Sequence, residues 1–390
     1  MNFDFTEEQN QLREALSRLL ERGYEFDKRK QIVASEAGYS REIWRQLAEL
    51  GALSIALPEQ HGGAGGSAVD TLVIMEALGR KLVVEPYVPA IVLGAGLVAR
   101  AGSEAQRARL LPRIGDGQQL LALAHDEPDN RYELERVATR ARPDGAGYVL
   151  DGHKTVVLGG SAADTLIVSA RTAGEPGDPA GVSLFLVDAG APGVTRRGYA
   201  TQDGHRAADV TLTGVKVDGD ALLGPAGGGI ALVEHALAHG IAAVSAEALG
   251  IMAVLVDLTS SYVKTRKQFG VPIGQFQVLQ HRLADMLMRV EQARSMTYLI
   301  ATTVDSSDEA QRRRVTAAAK ALVSQAARFV GQGAIQLHGG IGITDEAPVS
   351  HYFKRLTIIT LTFGDADHHL ARFSDLLDRG DRGDRGARDV

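Results

Sequence analysis

The sequence predicts an α+β protein with a helical N-terminal domain, a middle antiparallel β domain and a C-terminal four-helix bundle. Three observations lead to this class. Apolar residues recur at helical spacing over residues 1–121. Over residues 122–226 they form short, strand-like runs, and over residues 227–378 the helical spacing returns. A chain of 390 residues is also longer than one hydrophobic core commonly organises, so we expect several domains.

Capping residues and apolar stripes predict the N-terminal helices. Thr6 is typical of a helix start, and the leucines that follow it share one face: Leu12, Leu16, Leu19 and Leu20. A second stripe contains Trp44. A later helix is predicted to begin after Ser103 and to end near Pro112.

The middle and C-terminal patterns differ in period. Segments such as "GVSLFLVDA" and "ADVTLTGVKVDG" are short, rich in Val, Leu and Thr, and bounded by turn residues, which predicts antiparallel strands. From residue 227 one helix of roughly 40 residues, about 60 Å long, is predicted. Long helices joined by short connections favour an antiparallel bundle. The Asp-Arg-Gly repeats of residues 379–390 predict a disordered tail.

Composition excludes several classes of protein. The absence of cysteine excludes disulfides, thiolate catalysis and cysteine metal sites, and suits a reducing cytoplasm. A net charge of −6 argues against nucleic acid as a partner. The polar start lacks the features of a signal peptide, and no uninterrupted apolar run approaches the ~18 residues of a membrane span. Adjacent His368 and His369 point to different helix faces, so no metal site is predicted.

Three separated blocks carry a resemblance to a known family: "ALPEQHGGAGG", "YVKTRKQFGVPIGQFQVLQHRLADM" and "QGAIQLHGGIGIT". In these blocks, and in its order of helices, strands and helices, the chain resembles the acyl-CoA dehydrogenases over essentially its whole length. The resemblance implies FAD as cofactor and an acyl-CoA thioester as substrate. In that chemistry a carboxylate removes the α-proton and the flavin accepts the β-hydride. Electron-transferring flavoprotein is the family's usual electron acceptor.

The resemblance also implies which residues contact FAD: Arg266, Phe269, Gln277, Gln336, Gly339 and Gly340. Arg266 would pair with the pyrophosphate, because a guanidinium forms paired hydrogen bonds with phosphate oxygens. Phe269 would pack against the cofactor and Gln277 would hydrogen-bond it. Gln336 and the two glycines would meet its adenosine end. In the family, these contacts are made to the FAD of a neighbouring subunit.

Other family positions have changed. The segment that holds the catalytic acid aligns with residues 362–365, which places Phe363 at the acid's position. The second position used in the family falls on Gly240 and Ile241. The tryptophan that covers the flavin is replaced by Val156, and the family segment "T-E-P-G-A-G-S-D" is replaced by "DEPDNRYE", residues 126–133.

One candidate base remains on the long helix. Glu247 lies seven residues after Gly240, two helical turns on, so it faces nearly the same side. The ordinary alternative is that Glu247 is paired structurally inside the bundle. Asp365, two residues after Phe363, is a further candidate.

Three hypotheses follow. The leading one is a catalytically degraded subunit that works with a second acyl-CoA dehydrogenase-like chain, since the pattern of loss resembles the small subunits of heteromeric members. The second is a self-sufficient dehydrogenase that uses Glu247. The third is a non-catalytic acyl-CoA-binding or structural protein. Fatty, dicarboxylyl and ring-bearing acyl groups are all compatible with these residues.

Overall fold

The computed structural model describes residues 5–386 and their side chains through residue 378. By its internal contacts the chain divides into two compact units. The first unit comprises Met1–Arg29, Ala68–Val83 and Ile241–Val390, and the second comprises Lys30–Ser67 and Val84–Gly240. The three consecutive domains inferred above stay a prediction.

The first unit is helical. Its α-helices are α1 (Glu7–Gly23), α4 (Ala68–Arg80), α8 (Gln277–Thr303), α9 (Glu309–His338), α10 (Pro348–Leu361) and α11 (Ala366–Gly386), together with the part of α7 (Gly229–Thr265) that follows Gly240. The C-terminal region therefore has four α-helices up to Leu361, namely α7 to α10, and α11 follows them as a fifth. The predicted helical N-terminus and C-terminal helical region are confirmed.

Local capping explains where α1 begins. The Thr6 hydroxyl accepts a hydrogen bond from the Gln9 amide, and the Gln9 side chain accepts from the Thr6 amide. This reciprocal pair satisfies two backbone N–H groups that a helix start leaves without partners. Leu16 and Leu20 are buried on the predicted face.

Helix α7 is the 37-residue helix that the periodicity predicted. It is the one helix of the described residues that is long and apolar enough to cross a membrane, with a mean hydropathy of 2.0 over its most apolar window. Of that window 72% is buried inside the protein, as is typical of a core helix.

Glycine brings α4 and α7 into backbone contact. A Cβ atom at Gly79 would clash with the carbonyl oxygen of Glu247, and one at Gly250 would clash with the carbonyl oxygen of Glu76. Larger residues at these two positions would force the helices apart, which fixes the position of the α7 segment that carries Glu247.

The second unit combines short helices with one sheet. Its helices are α3 (Arg41–Glu49), α5 (Gly96–Ala101) and α6 (Glu104–Gly115), while α2 (Phe26–Ala34) crosses its boundary. Ser103 caps α6 as predicted, by accepting from the Gln106 amide. The strands are β1 (Leu121–Ala124), β2 (Arg140–Asp144), β3 (Gly147–Leu158), β4 (Thr165–Arg171), β5 (Val182–Asp188), β6 (Val194–Ala200), β7 (Arg206–Val217) and β8 (Leu222–Leu223).

The sheet is mixed, which corrects the prediction of an antiparallel domain. The strand order is β6-β7-β3-β2-β4-β5-β8, with β1 also pairing with β4. Most pairs are antiparallel, but β1 runs parallel to β4 over Leu121–Ala124, and β2 meets β4 in parallel at one residue pair. Side chains alternate between faces with a period of two in both kinds of strand, so the residue pattern does not encode strand direction.

The tail also differs from its prediction. The backbone of α11 is helical to Gly386, whereas residues 379–390 were predicted to be disordered. No proline interrupts this segment, so α11 meets no residue that must end it. Residues 387–390 lie outside the described residues.

Candidate functional site

A short hairpin after α7 carries part of the predicted cofactor set. Strands β9 (Lys267–Gln268) and β10 (Val271–Pro272) pair in antiparallel fashion and place Phe269 and Gly270 in the turn. The φ angles of these two residues are 53° and 82°, as a type I′ turn requires. The Phe269 side chain is 91% exposed. The Phe269 ring makes an edge contact with Phe276, with centroids 6.1 Å apart, but most of its surface stays exposed, which suits contact with another molecule.

The C-terminal end of α9 carries the rest of the predicted cofactor residues. Gln336, Gly339 and Gly340 are all exposed. Gly339 has φ 63° and ψ −143°, a conformation that is essentially confined to glycine. Gly340 has no positive φ, and no atom lies within 4 Å of the position that its Cβ would occupy. Space beside Gly340 is therefore open to a group from outside the chain.

These residues fit the phosphate and adenosine portion of FAD. Arg266 is exposed, and no carboxylate among the described residues lies within ion-pair distance of its guanidinium. An unpaired guanidinium beside an exposed aromatic ring and an open glycine pair can bind a pyrophosphate with its attached nucleoside. FAD would be held here by Arg266, Phe269 and Gln277 from the hairpin side and by the α9 end from the other.

Phe363, at the first family position of the catalytic acid, lies in an apolar environment that it shares with Ile241, the residue after the second position, Gly240. Phe363 packs against a buried cluster that includes Ile241 and Ala242 of α7 and Ala319 of α9. Phe363 and Ile241 are far apart in sequence, so only the fold shows that they share one environment. The members of this cluster offer no group that accepts a proton.

The turn that carries Phe363 is strained and firmly held. Phe363 has φ 61° and Gly364 has φ 107°. His369 donates a hydrogen bond from Nε2 to the Phe363 carbonyl oxygen at 2.8 Å, and burial lowers the pKa of His369 to about 4, so the ring is neutral. Buried Lys320 donates to the carbonyl oxygen of Ile359 at 2.9 Å near the end of α10. The backbone that would present an acid is therefore retained without the acid.

Glu247 is bound in a buried ion pair. Arg355 of α10 donates from Nε to Oε1 and from Nη2 to Oε2 of Glu247, both at 2.6 Å. Glu247 is 3% exposed and Arg355 is 8% exposed. Because both carboxylate oxygens are engaged, Glu247 would have to leave Arg355 before accepting a proton. The geometry matches the structural alternative for Glu247.

Sequence reasoning missed Arg355. The sequence does contain a signal for it, because this charged residue lies on the same face of α10 as three other residues that are buried: Tyr352, Leu356 and Ile359. A charge on such a face needs a buried partner of opposite sign. Glu247 was the matching residue, 108 positions earlier in the chain.

In the second unit, residues 126–133 follow β1, and the segment begins at a group of buried polar side chains. Glu127 accepts from the Lys154 ammonium at 2.7 Å and from the Thr139 hydroxyl at 2.6 Å. Burial lowers the pKa of Lys154 to about 8, while the Glu127 charge opposes that shift, so the lysine stays protonated at neutral pH. This ion pair anchors the start of the segment.

Val156 lies in a β-bulge two residues after Lys154. The β3–β7 register shifts between Lys154 and Val157, and Val156 has φ 50°. Its side chain is 49% exposed. A β-branched residue is an outlier in the left-handed region, so the bulge retains a strained backbone at the position where the family has tryptophan.

We therefore expect Val156→Asn to stabilise the protein by about 1 kcal/mol, because asparagine tolerates positive φ and little burial is lost. The measurement is the midpoint of urea unfolding. Val149→Asn on the same strand is the control, since Val149 lies in regular pairing with Lys216 and outside the residues with positive φ. An equal change in both variants would contradict the strain at Val156.

Known proteins resemble this chain in three successive segments. Family models for the acyl-CoA dehydrogenase N-terminal, middle and C-terminal domains match residues 6–118, 122–216 and 227–375. Acryloyl-CoA reductase (NADH) of Anaerotignum propionicum is 29% identical, covering 95% of this chain and 94% of that protein. Acyl-CoA dehydrogenase FadE27 of Mycobacterium tuberculosis is 32% identical, with coverages of 86% and 88%. The crystal structure of the ChsE4-ChsE5 complex from Mycobacterium tuberculosis contains a chain 29% identical with a TM-score of 0.87, covering 97% of this chain and 99% of that one.

The chain belongs to the acyl-CoA dehydrogenase family, which confirms the resemblance in its sequence blocks. It is an FAD-dependent acyl-CoA dehydrogenase, and FAD is its cofactor.

Proposed function

We propose that this chain is the subunit of a heteromeric acyl-CoA dehydrogenase that completes a neighbour's FAD site and does not supply the catalytic base. The observation that carries the proposal is a contrast within the first unit. Phe363, at the family position of the acid, lies in an apolar cluster with Ile241, whereas all six carried-over cofactor residues are exposed.

The loss of the base supports a partner with its own acid. General base catalysis needs a proton acceptor within hydrogen-bond reach of the α-carbon. Phe363 and Gly240 cannot accept a proton, and Glu247 is engaged by Arg355 on both oxygens. The same geometry disfavours the second hypothesis, a self-sufficient enzyme that uses Glu247.

Exposed apolar side chains support a macromolecular partner. Val278, Leu287 and Met288 of α8 and Ile343 after α9 are each at least half exposed. A partner that covered these side chains would gain the free energy of removing their apolar surface from water. The ChsE4-ChsE5 neighbour is a complex of two differently named proteins, which makes a second chain of the same family the partner that we propose.

In this mechanism FAD, when bound, accepts the hydride that leaves the β-carbon of the acyl-CoA. The Arg266 guanidinium neutralises pyrophosphate charge, and the Phe269 ring excludes water from that side of the cofactor. Gln277 and Gln336 orient the adenosine portion by hydrogen bonding. The partner supplies the carboxylate that removes the α-proton.

We also propose a substrate class, an electron acceptor and a location. Residues 238–250 and 351–370 resemble the small subunit of pimeloyl-CoA dehydrogenase, which favours a dicarboxylyl-CoA thioester. Electron-transferring flavoprotein is the proposed electron acceptor. A chain without cysteine suits the cytoplasm.

Flavin content tests the proposal. The chain purified alone should be colourless or carry far less than one FAD per chain. After mixing with an acyl-CoA dehydrogenase-like chain from the same genome, the purified complex should retain yellow FAD through gel filtration. Stoichiometric FAD in the chain alone would support a self-sufficient enzyme. A colourless chain that forms no complex with any such partner would support a non-catalytic protein.

Arg266→Ala should weaken FAD binding by the assembly roughly 10- to 150-fold, because a charge-assisted hydrogen bond contributes about 1.5–3 kcal/mol. The measurement is flavin retained after gel filtration at low FAD. Lys267→Ala is the matched control, since it removes an adjacent exposed cation from the same hairpin. Equal retention in the wild type and Arg266→Ala would remove Arg266 from the FAD site.

A further inference from the structure

One aromatic pair joins the hairpin end of α7 to the glycine end of α9. The Tyr262 and His338 rings are stacked, with centroids 4.4 Å apart and an interplanar angle of 23°. The Tyr262 hydroxyl also donates to the His338 carbonyl oxygen at 3.3 Å. The two helix ends are therefore joined by a ring contact, beside which the hydrogen bond is long and weak.

Each of the two residues lies next to one of the two cofactor segments in the chain. The Arg266 amide donates to the Tyr262 carbonyl oxygen at 2.8 Å, so Tyr262 lies one helical turn before Arg266. His338 immediately precedes Gly339 and donates from Nδ1 to the Ala334 carbonyl oxygen at 2.8 Å. Burial lowers the pKa of His338, which keeps the stacked ring neutral.

The surrounding structure packs against both residues. His338 is 8% exposed, and a Cβ atom at Gly342 would lie 2.9 Å from the His338 Cβ, so the turn after α9 closes tightly on this histidine. Tyr262 is partly buried within α7. The stacked rings thus connect the segment that carries Arg266 to the segment that carries the glycine pair.

We infer that Tyr262 and His338 are positioning residues that hold Arg266 and the Gly339-Gly340 pair at the spacing that FAD requires. The inference rests on the proposed function, since it assumes that both segments contact FAD. Stacking fixes a separation without directional bonds to the cofactor, so the pair acts on FAD affinity and leaves the acyl-CoA site unchanged.

The test compares three variants in the flavin-loaded assembly that this chain forms. Tyr262→Leu fills the space but cannot stack, Tyr262→Phe keeps the ring and loses the hydroxyl, and Tyr298→Ala removes a ring that packs against Phe5 away from both segments. For each we would measure the FAD dissociation constant by flavin fluorescence, the melting temperature, and the KM for acyl-CoA at saturating FAD.

Tyr262→Leu should raise the FAD dissociation constant roughly 3- to 10-fold, the range expected for one aromatic pair. Its activity should recover at saturating FAD with an unchanged KM. Tyr262→Phe and Tyr298→Ala should bind FAD like the wild type. An unchanged dissociation constant in Tyr262→Leu would overturn the inference, as would a loss of activity that excess FAD does not restore.

Arg266→Ala separates this inference from the proposed function. If Arg266→Ala weakens FAD binding and Tyr262→Leu does not, the positioning role fails and the FAD site stands. If neither variant changes FAD binding, the proposed FAD site itself fails.

Discussion

Acyl-CoA turnover is expected only when this chain is combined with a second acyl-CoA dehydrogenase-like chain. Alone, with added FAD and an artificial electron acceptor, it should be at background, because a positioned general base contributes a factor of roughly 10²–10⁴ and both base positions here are apolar. The measurement is turnover of a panel of acyl-CoA thioesters by each chain and by the mixture. Robust turnover by the chain alone would contradict the proposal.

Phe363→Glu provides a demanding control for that experiment. A carboxylate at residue 363 would stand on a backbone already shaped for it, at φ 61°. It should nevertheless fail to restore activity to the chain alone, because Val156 cannot cover the flavin and the cofactor would stay misoriented. Activity gained through Phe363→Glu would show that the missing acid is the sole defect.

Glu247→Met is expected to destabilise the protein by about 3–5 kcal/mol, because it removes the carboxylate that neutralises the buried Arg355 guanidinium. The double variant Glu247→Met with Arg355→Met should recover most of that loss, since an apolar pair of similar volume replaces a buried ion pair at little cost. The measurement is the free energy of urea unfolding for both single variants and the double variant.

The double variant also separates structure from catalysis. If Glu247 is structural, the folded double variant should support turnover by the assembly like the wild type. A double variant that is folded and binds FAD but has lost kcat would identify Glu247 as the base. A single variant with wild-type stability would contradict the structural role of the pair.

The sequence alone determined the features that depend only on residues close together in the chain, namely the helix starts and the long helix α7. Thr6 and Ser103 cap their helices with groups three residues away, and α7 follows from an unbroken apolar period. The family blocks also predict FAD contacts for Arg266, Phe269 and Gln277, which lie in one continuous stretch, and these roles stay a prediction. Capping and helix period act within a few residues, so they can be read directly from the sequence.

Tertiary structure decided the parts that depend on distant residues. The sequence left two roles open for Glu247, and Arg355 reaches it from 108 residues away. The parallel β1–β4 pair, the meeting of Phe363 with Ile241 and the stacking of Tyr262 on His338 likewise join separated segments. Each of these contacts depends on how whole helices and strands pack, and packing brings together side chains whose spacing in the sequence carries no signal.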